Sequence, residues 1–70
     1  MFNISSELLS PREFRDRTGW TMQRMSDNSS IPLYSLYNYM KDEEDPKYRK
    51  PKAFVCRLFA VLYHLDNLES

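Results

Sequence analysis

Seventy residues with no net charge make one small domain with a thin hydrophobic core. Aromatic residues are 14% of the chain and hydrophobic residues are 41%, a content that excludes an intrinsically disordered protein. The single cysteine, Cys56, excludes an intrachain disulfide and a zinc site built on cysteines. One glycine and the lack of alternating apolar runs predict helices rather than strands, so we expect an all-α fold.

The sequence also predicts where the protein works. Its N-terminal segment lacks the basic and apolar regions of a secretory signal, and no apolar run is long enough to span a membrane. We therefore expect a cytoplasmic protein with no membrane partner. The chain carries no catalytic constellation and no metal-ligand spacing, so we expect no cofactor, no metal and no enzymatic activity.

The charges are unevenly distributed although they sum to zero. Between Lys47 and Arg57 five residues are basic and none is acidic, while residues 42–45 are four consecutive acids. A neutral total can therefore hide a basic face, and a basic face is what a nucleic-acid binder needs to neutralise phosphates.

In chain order, residues 1–9 are expected to form a loose N-terminal arm. The first helix follows, because Ser10 is a good N-cap, Pro11 suits the first helical position and Glu13 completes a capping box. Gly19 ends this helix in the usual C-terminal manner.

Two more short helices follow, joined by a tight polar turn. Thr21 caps the second helix, which we expect to run to about Asp27. Pro32 is expected in the first turn of the third helix, which continues to about Lys41. This layout predicts a helix-turn-helix, whose second helix lies in the DNA major groove.

The last part of the chain is a charged loop over residues 42–51 and a final helix. That helix is expected to run from about Lys52 to Leu65, because apolar residues recur there at helical spacing. The whole chain, residues 1–70, is expected to form a single helix-turn-helix domain.

Taken together, these residues resemble the phage Cro/repressor-type, or lambda-repressor-like, helix-turn-helix family. In that family a helix ends in Gly, an apolar residue and a cap follow, and a small residue, a tight turn, an apolar plug and a buried branched residue come next. Here these positions are held by Gly19, Trp20, Thr21, Ser26, Ser30, Ile31 and Leu36. The resemblance implies a compact domain of four to five helices that regulates transcription by binding double-stranded DNA, as a homodimer.

The resemblance also has departures. Met22 stands where the family often has a Gln that touches DNA, and Ser30 stands where the turn usually has Gly. Lys50-Pro51 before the last helix and Ala60 within it match the family pattern.

Carried over position by position, the resemblance assigns contacts to DNA. The residues that would read bases lie on the third helix and are Leu33, Tyr34, Tyr37 and Asn38. The residues that would contact the phosphate backbone are Thr21, Gln23, Lys41, Lys47, Arg49, Lys50 and Lys52. The amide of Asn38 suits adenine. The alternative reading places the tyrosines in the core or on an ordinary amphipathic surface, and the basic residues in a solvated loop.

A second hypothesis keeps the scaffold but changes the partner. A protein-interaction module would bind a polymerase, a repressor or a toxin. The neutral charge, the acidic run and the Tyr and Leu residues on the third helix favour it, since Tyr is common at protein interfaces.

Overall fold

Four α-helices form the regular structure of residues 8–69, the part of the chain that the computed structural model describes. They are α1 (Pro11–Thr18), α2 (Met22–Ser29), α3 (Leu33–Met40) and α4 (Ala53–Glu69). Within residues 8–69 there is no strand, so the all-α prediction is confirmed. Helix α1 packs against α4 and α3, and α2 packs against α3.

The predicted caps of the first two helices are present. The Ser10 hydroxyl accepts from the backbone N–H of Glu13 at 3.1 Å, and the Glu13 carboxylate accepts from the N–H of Ser10 at 3.3 Å. Gly19 ends α1 with a left-handed backbone, φ 72°. The Thr21 hydroxyl accepts from the N–H of Arg24 at 3.1 Å and caps α2. These local bonds satisfy N–H groups that a helix start leaves unpaired.

The turn between α2 and α3 is short and closed by hydrogen bonds. Ser30 adopts the left-handed conformation, φ 63°, that the resemblance reserves for Gly. Its N–H donates to the carbonyl of Ser26 at 2.9 Å, and the N–H of Ile31 donates to the Ser29 hydroxyl at 3.2 Å. Helix α2 thus ends at Ser29, two residues later than predicted.

Pro32 lies at the N-cap of α3, one residue before the first turn in which it was predicted. Its φ is −57° and its ψ is 146°, and the extended ψ turns the chain into the helix. The Pro32 carbonyl accepts from the N–H groups of Ser35 and Leu36 at 3.1 and 3.2 Å. Helix α3 ends at Met40, with Lys41 as its C-cap.

Helix α4 is longer than predicted. It begins at Ala53 and continues to Glu69, about one turn beyond the expected end at Leu65. The physical reason is that neither Gly nor Pro follows Leu65 to stop the helix. The stretch before it, residues 42–51, contains turns and no helix, as predicted.

Aromatic packing lies at the centre of the core. The fully buried Phe14 ring contacts Trp20 edge-on, with ring centroids 4.9 Å apart, and Phe59 at 5.0 Å. Such pairs are favourable beyond the apolar area that they bury. The buried hydrophobic residues are Leu9, Phe14, Trp20, Met22, Met25, Leu36, Val55, Phe59 and Ala60.

The prediction of a loose arm over residues 1–9 is wrong at its C-terminal end, Leu9. Residues 1–7 lie outside the described residues, but Leu9 is buried and its N–H donates to the carbonyl of Cys56 at 3.1 Å. Leu9 is therefore part of the fold, and burial of its side chain explains why. As for membranes, none of the helices described between residues 8 and 69 is both long and apolar enough for a transmembrane span.

Candidate functional site

The outward face of α3 presents two tyrosines. Tyr34 is 72% exposed and Tyr37 is 52% exposed, and residues three apart on a helix are neighbours. Asn38, one turn beyond Tyr34, is half-buried on the same side. Leu36 is fully buried against the core, which turns the tyrosine face away from it.

Leu33 is placed differently from the other three predicted base-reading residues. Its side chain is partly buried and packs against the core. It lies three residues before Leu36, and this spacing brings it close to the buried face of α3. A contact between Leu33 and a DNA base stays a prediction. Because the Leu33 side chain is partly buried, only its exposed part could make that contact.

The loop after α3 folds in two successive turns. The N–H of Asp45 donates to the carbonyl of Asp42, and the N–H of Tyr48 donates to the carbonyl of Asp45, both at 2.9 Å. The Asp45 carboxylate accepts from the N–H of Lys47 at 2.8 Å. These bonds bend the chain back toward α3.

The bend ends in a direct bond to α3. The N–H of Arg49 donates to the carbonyl of Asn38 at 3.2 Å. Residues 47–52, which we call the basic segment, therefore begin beside the C-terminal end of α3. A shallow cleft open to solvent lies there, and the residues around it are Asn38, Pro46, Lys47, Tyr48, Arg49 and Lys50.

Among the residues that the structure describes, no recorded ion pair involves the positive charges of this region. Within the described residues, the recorded ion pairs join Arg12 to Asp42 at 3.4 Å and Arg24 to Asp66 at 3.9 Å. Neither pair involves the basic segment or Lys41. Within the acidic run 42–45, the Asp42 carboxylate thus pairs with Arg12 of α1, and the Asp45 carboxylate accepts from the N–H of Lys47 in the turn. The basic segment thus lies next to the end of α3, while Glu43 of the acidic run borders a cleft with Lys41 and Lys50.

The two candidate contact residues on α2 are held by local bonds. Thr21 is the N-cap, and the Gln23 amide donates to the Asp27 carboxylate at 2.8 Å. Both residues are exposed, so a phosphate contact here would use the backbone N–H groups of the helix start. Met22, between them, is buried in the core and does not face outward.

Three arginines have structural contacts that the sequence analysis missed. The Arg24 guanidinium lies 3.8 Å from the Trp20 ring centroid, and that of Arg17 lies 5.3 Å from the Tyr63 ring. The Arg15 side chain donates to the carbonyl of Trp20 at 3.2 Å. A tryptophan just before a helix cap, with arginines on both sides of it, is a signal that could have indicated the Arg15 and Arg24 contacts.

Cys56 lies at a second cleft, which Tyr39, Lys41 and Tyr48 also border. Burial raises the pKa of its thiol, the charge of Glu13 raises it further, and the charge of Lys50 opposes both. A neutral thiol is a poor nucleophile. In the part of the chain that the structure describes, no three His, Cys, Asp or Glu residues are grouped as a metal site.

Comparison of the chain with protein-family models, with curated proteins and with solved structures finds no significant match.

Proposed function

We propose that this protein binds double-stranded DNA through α3 and the basic segment, as a sequence-specific regulator of transcription. The observation that carries the proposal is the bond from the Arg49 N–H to the Asn38 carbonyl. It joins the basic segment to the end of a helix with an exposed polar and aromatic face. A DNA reader needs these two parts together, since phosphate contacts position the protein and base contacts specify the sequence.

In this proposal α2 and α3 are a helix-turn-helix. Both are eight-residue helices, they pack against each other, and the turn between them is three residues long. Burial of Leu36 leaves the Tyr34 and Tyr37 face free to enter the major groove.

The chemistry of the exposed residues fits this role. An Asn amide can donate to and accept from adenine in the major groove, and Asn38 supplies one. Tyrosine hydroxyls donate to phosphate oxygens, and tyrosine rings contact thymine methyl groups. The cations available for phosphates are Lys41, Lys47, Arg49, Lys50 and Lys52. If all five were used, the logarithm of affinity would fall with the logarithm of salt with a slope of about −4.5.

The test is selection from a pool of random-sequence duplexes at two salt concentrations, followed by sequencing. We expect enrichment of one short sequence and a strong loss of affinity at the higher salt. If the protein binds as a homodimer, the enriched site is a palindrome with half-sites about 34 Å apart. No enrichment and no salt-dependent binding would contradict the proposal.

A protein partner is the second candidate function. Two tyrosines exposed on one helix face, in a chain with no net charge, are the observation that favours it. Retention on heparin at low salt separates the two candidates, because heparin presents a polyanion as DNA does. Retention that is lost when the basic segment is neutralised supports DNA, and no retention supports a protein partner.

A further inference from the structure

The second cleft, which Cys56 borders, lies where three helices and the charged loop meet. Ser10 and Arg12 line it from the start of α1, Tyr39 and Lys41 from the end of α3, and Cys56 from α4. We call it the Cys56 cleft. Its volume is about 320 Å³. Clefts that hold small molecules measure about 300–1,000 Å³, so this one has room for a small ligand.

Bonds between the elements fix the walls of the Cys56 cleft. The N–H of Leu9 donates to the carbonyl of Cys56 at 3.1 Å, which holds the chain before α1 against α4. The Arg12 guanidinium pairs with Asp42 at 3.4 Å and links α1 to the loop. Tyr39 packs against the hydrophobic core. A cleft whose walls are held in this way needs little ordering when a ligand enters it.

The polar groups around the Cys56 cleft are mostly hydrogen-bond donors. Lys41 and Lys50 border it, and a lysine ammonium group donates but does not accept. Among the described residues, the recorded ion pairs involve neither lysine. Glu43 is the acid that borders the cleft. A lining rich in donors favours a ligand that has acceptor oxygens and a negative charge.

The cleft also has an aromatic lining. Tyr39, Tyr48 and Pro51 border it, and their rings are its large apolar groups. Aromatic rings pack well against other aromatic rings, stacked or edge-on. The lining therefore favours a flat ring in the same ligand that carries the negative charge.

We propose that the Cys56 cleft binds a small aromatic carboxylate, with the carboxylate group at Lys41 and Lys50 and the ring against the two tyrosines. Because Arg12 and Asp42 pair with each other, the two lysines and Glu43 leave one positive charge at the cleft. One positive charge matches a carboxylate better than a doubly charged phosphate monoester. This inference does not depend on the proposed function, so its test contains no DNA.

Nuclear magnetic resonance of the ¹⁵N-labelled protein, titrated with 1-naphthoate, tests the proposal. We expect saturable shifts centred on the amide signals of Lys41, Tyr48 and Cys56. A dissociation constant of about 0.1–1 mM is expected for a ligand of this size. Shifts centred elsewhere, or no saturable shifts, would overturn the proposal.

Three further probes separate the charge from the ring. 1-Naphthalenemethanol keeps the ring without the charge, and acetate keeps the charge without the ring. Each should bind at least about 5-fold more weakly than 1-naphthoate, since each lacks one of the two recognised groups. Equal affinity for either probe would contradict the proposal. Tighter binding of 1-naphthyl phosphate would overturn the choice of a carboxylate.

Two matched pairs of variants test the charges. Lys50→Gln should weaken 1-naphthoate binding about 3-fold, while Lys52→Gln, at an exposed lysine that does not border the cleft, should not change it. Glu43→Gln should tighten binding about 2-fold, while Glu44→Gln makes the same charge change outside the cleft and should have no effect. A folding defect cannot tighten binding. Equal affinities within both pairs would overturn the proposal.

The Cys56 thiol reports directly on occupancy, because it is the single cysteine of the chain and borders the cleft. Its alkylation by iodoacetamide should slow by about 10-fold when 1-naphthoate fills nine-tenths of the sites, since a bound ring blocks access to the sulfur. Acetate at the same concentration is the control for ionic strength and should leave the rate unchanged. An unchanged rate with 1-naphthoate would show that the ligand binds elsewhere, and would contradict the proposal.

Discussion

The hydroxyl of Ser26 on α2 donates a hydrogen bond of 2.7 Å to the backbone carbonyl of Ile31, just before α3. The bond spans the turn and satisfies a carbonyl that is not part of either helix. A larger side chain at this point would separate the two helices. The relative position of α2 and α3, on which the candidate DNA surface depends, is thus fixed partly by one small polar residue.

Replacing Ser26 with Ala should lower the free energy of unfolding by about 1–2 kcal/mol, because the Ile31 carbonyl loses its side-chain donor in a part-buried place. Urea denaturation measures the change. Ser35→Ala, at a similarly half-buried serine on α3, is the control and should change stability by less than about 0.5 kcal/mol. Equal losses in the two variants would contradict this role.

Replacing Ser30 with Gly should stabilise the protein by about 0.5–1 kcal/mol, since glycine adopts the left-handed backbone at φ 63° without strain. The reverse change at the other left-handed position, Gly19→Ala, should destabilise it by a similar amount. No atom lies within 4 Å of a Cβ added at Gly19, so backbone strain alone accounts for that loss. Thermal unfolding of both variants measures the two changes in stability. A Ser30→Gly variant less stable than the wild type would contradict the claim that the left-handed backbone strains Ser30.

Replacing Asn38 with Ala should cost about 1–3 kcal/mol of binding at one base position and relax the sequence preference there. The reason is that the amide would be the group that recognises adenine. Affinities for the selected site and its single-base variants measure the effect. Asn28→Ala on α2, whose amide donates to the carbonyl of Arg24, is the control and should bind like the wild type. An unchanged specificity profile in Asn38→Ala would show that the groove assignment is wrong.

Replacing Lys50 with Ala should weaken binding by the same factor for every DNA sequence. The slope of log affinity against log salt should become shallower by about 0.9, the value for one lost phosphate contact. Arg17→Gln, at a cation that lies over Tyr63 and outside the basic segment, should leave the slope unchanged. If the slope of log affinity against log salt in Lys50→Ala equalled that of the wild type, Lys50 would not contact DNA phosphate.

The Cys56 thiol should titrate above its ordinary pKa in the folded protein, because burial and the charge of Glu13 disfavour the thiolate. The pH dependence of its alkylation rate measures this pKa, folded and in urea. Since the folded pKa is the higher one, the thiol stabilises the fold below the ordinary pKa, and this contribution is lost as pH rises through the raised value.

A matched variant separates the effect of the Glu13 charge from the larger effect of burial. Glu13→Gln keeps the capping box, since Gln also accepts from the Ser10 N–H, but it removes the charge. It should lower the pKa of the Cys56 thiol toward the ordinary value. A folded thiol that titrates at or below its ordinary pKa would contradict the account.

Local signals predicted the helices well because the bonds that begin and end them are local. Ser10, Glu13 and Gly19 mark the first helix within ten residues, and Thr21 marks the second. The burial of Leu36 was predicted as well.

The parts that were not predicted depend on contacts between distant residues. No spacing in the sequence indicates that the N–H of Arg49 reaches the carbonyl of Asn38, because the ten residues between them are the end of α3 and a charged loop. Leu9 was assigned to a loose arm, and the structure buries it in the core. The base-reading and phosphate-binding roles on α3 and the basic segment stay predictions.

The central claim is that α3 and the basic segment are the surface that binds DNA. Nuclear magnetic resonance of the ¹⁵N-labelled protein, titrated with the duplex enriched by selection, tests it most directly. We expect the amide signals of residues 33–41, 47–50 and 52 to shift most, while those of residues 54–68 move little. Shifts confined to α4, or no shifts at any DNA concentration, would contradict it.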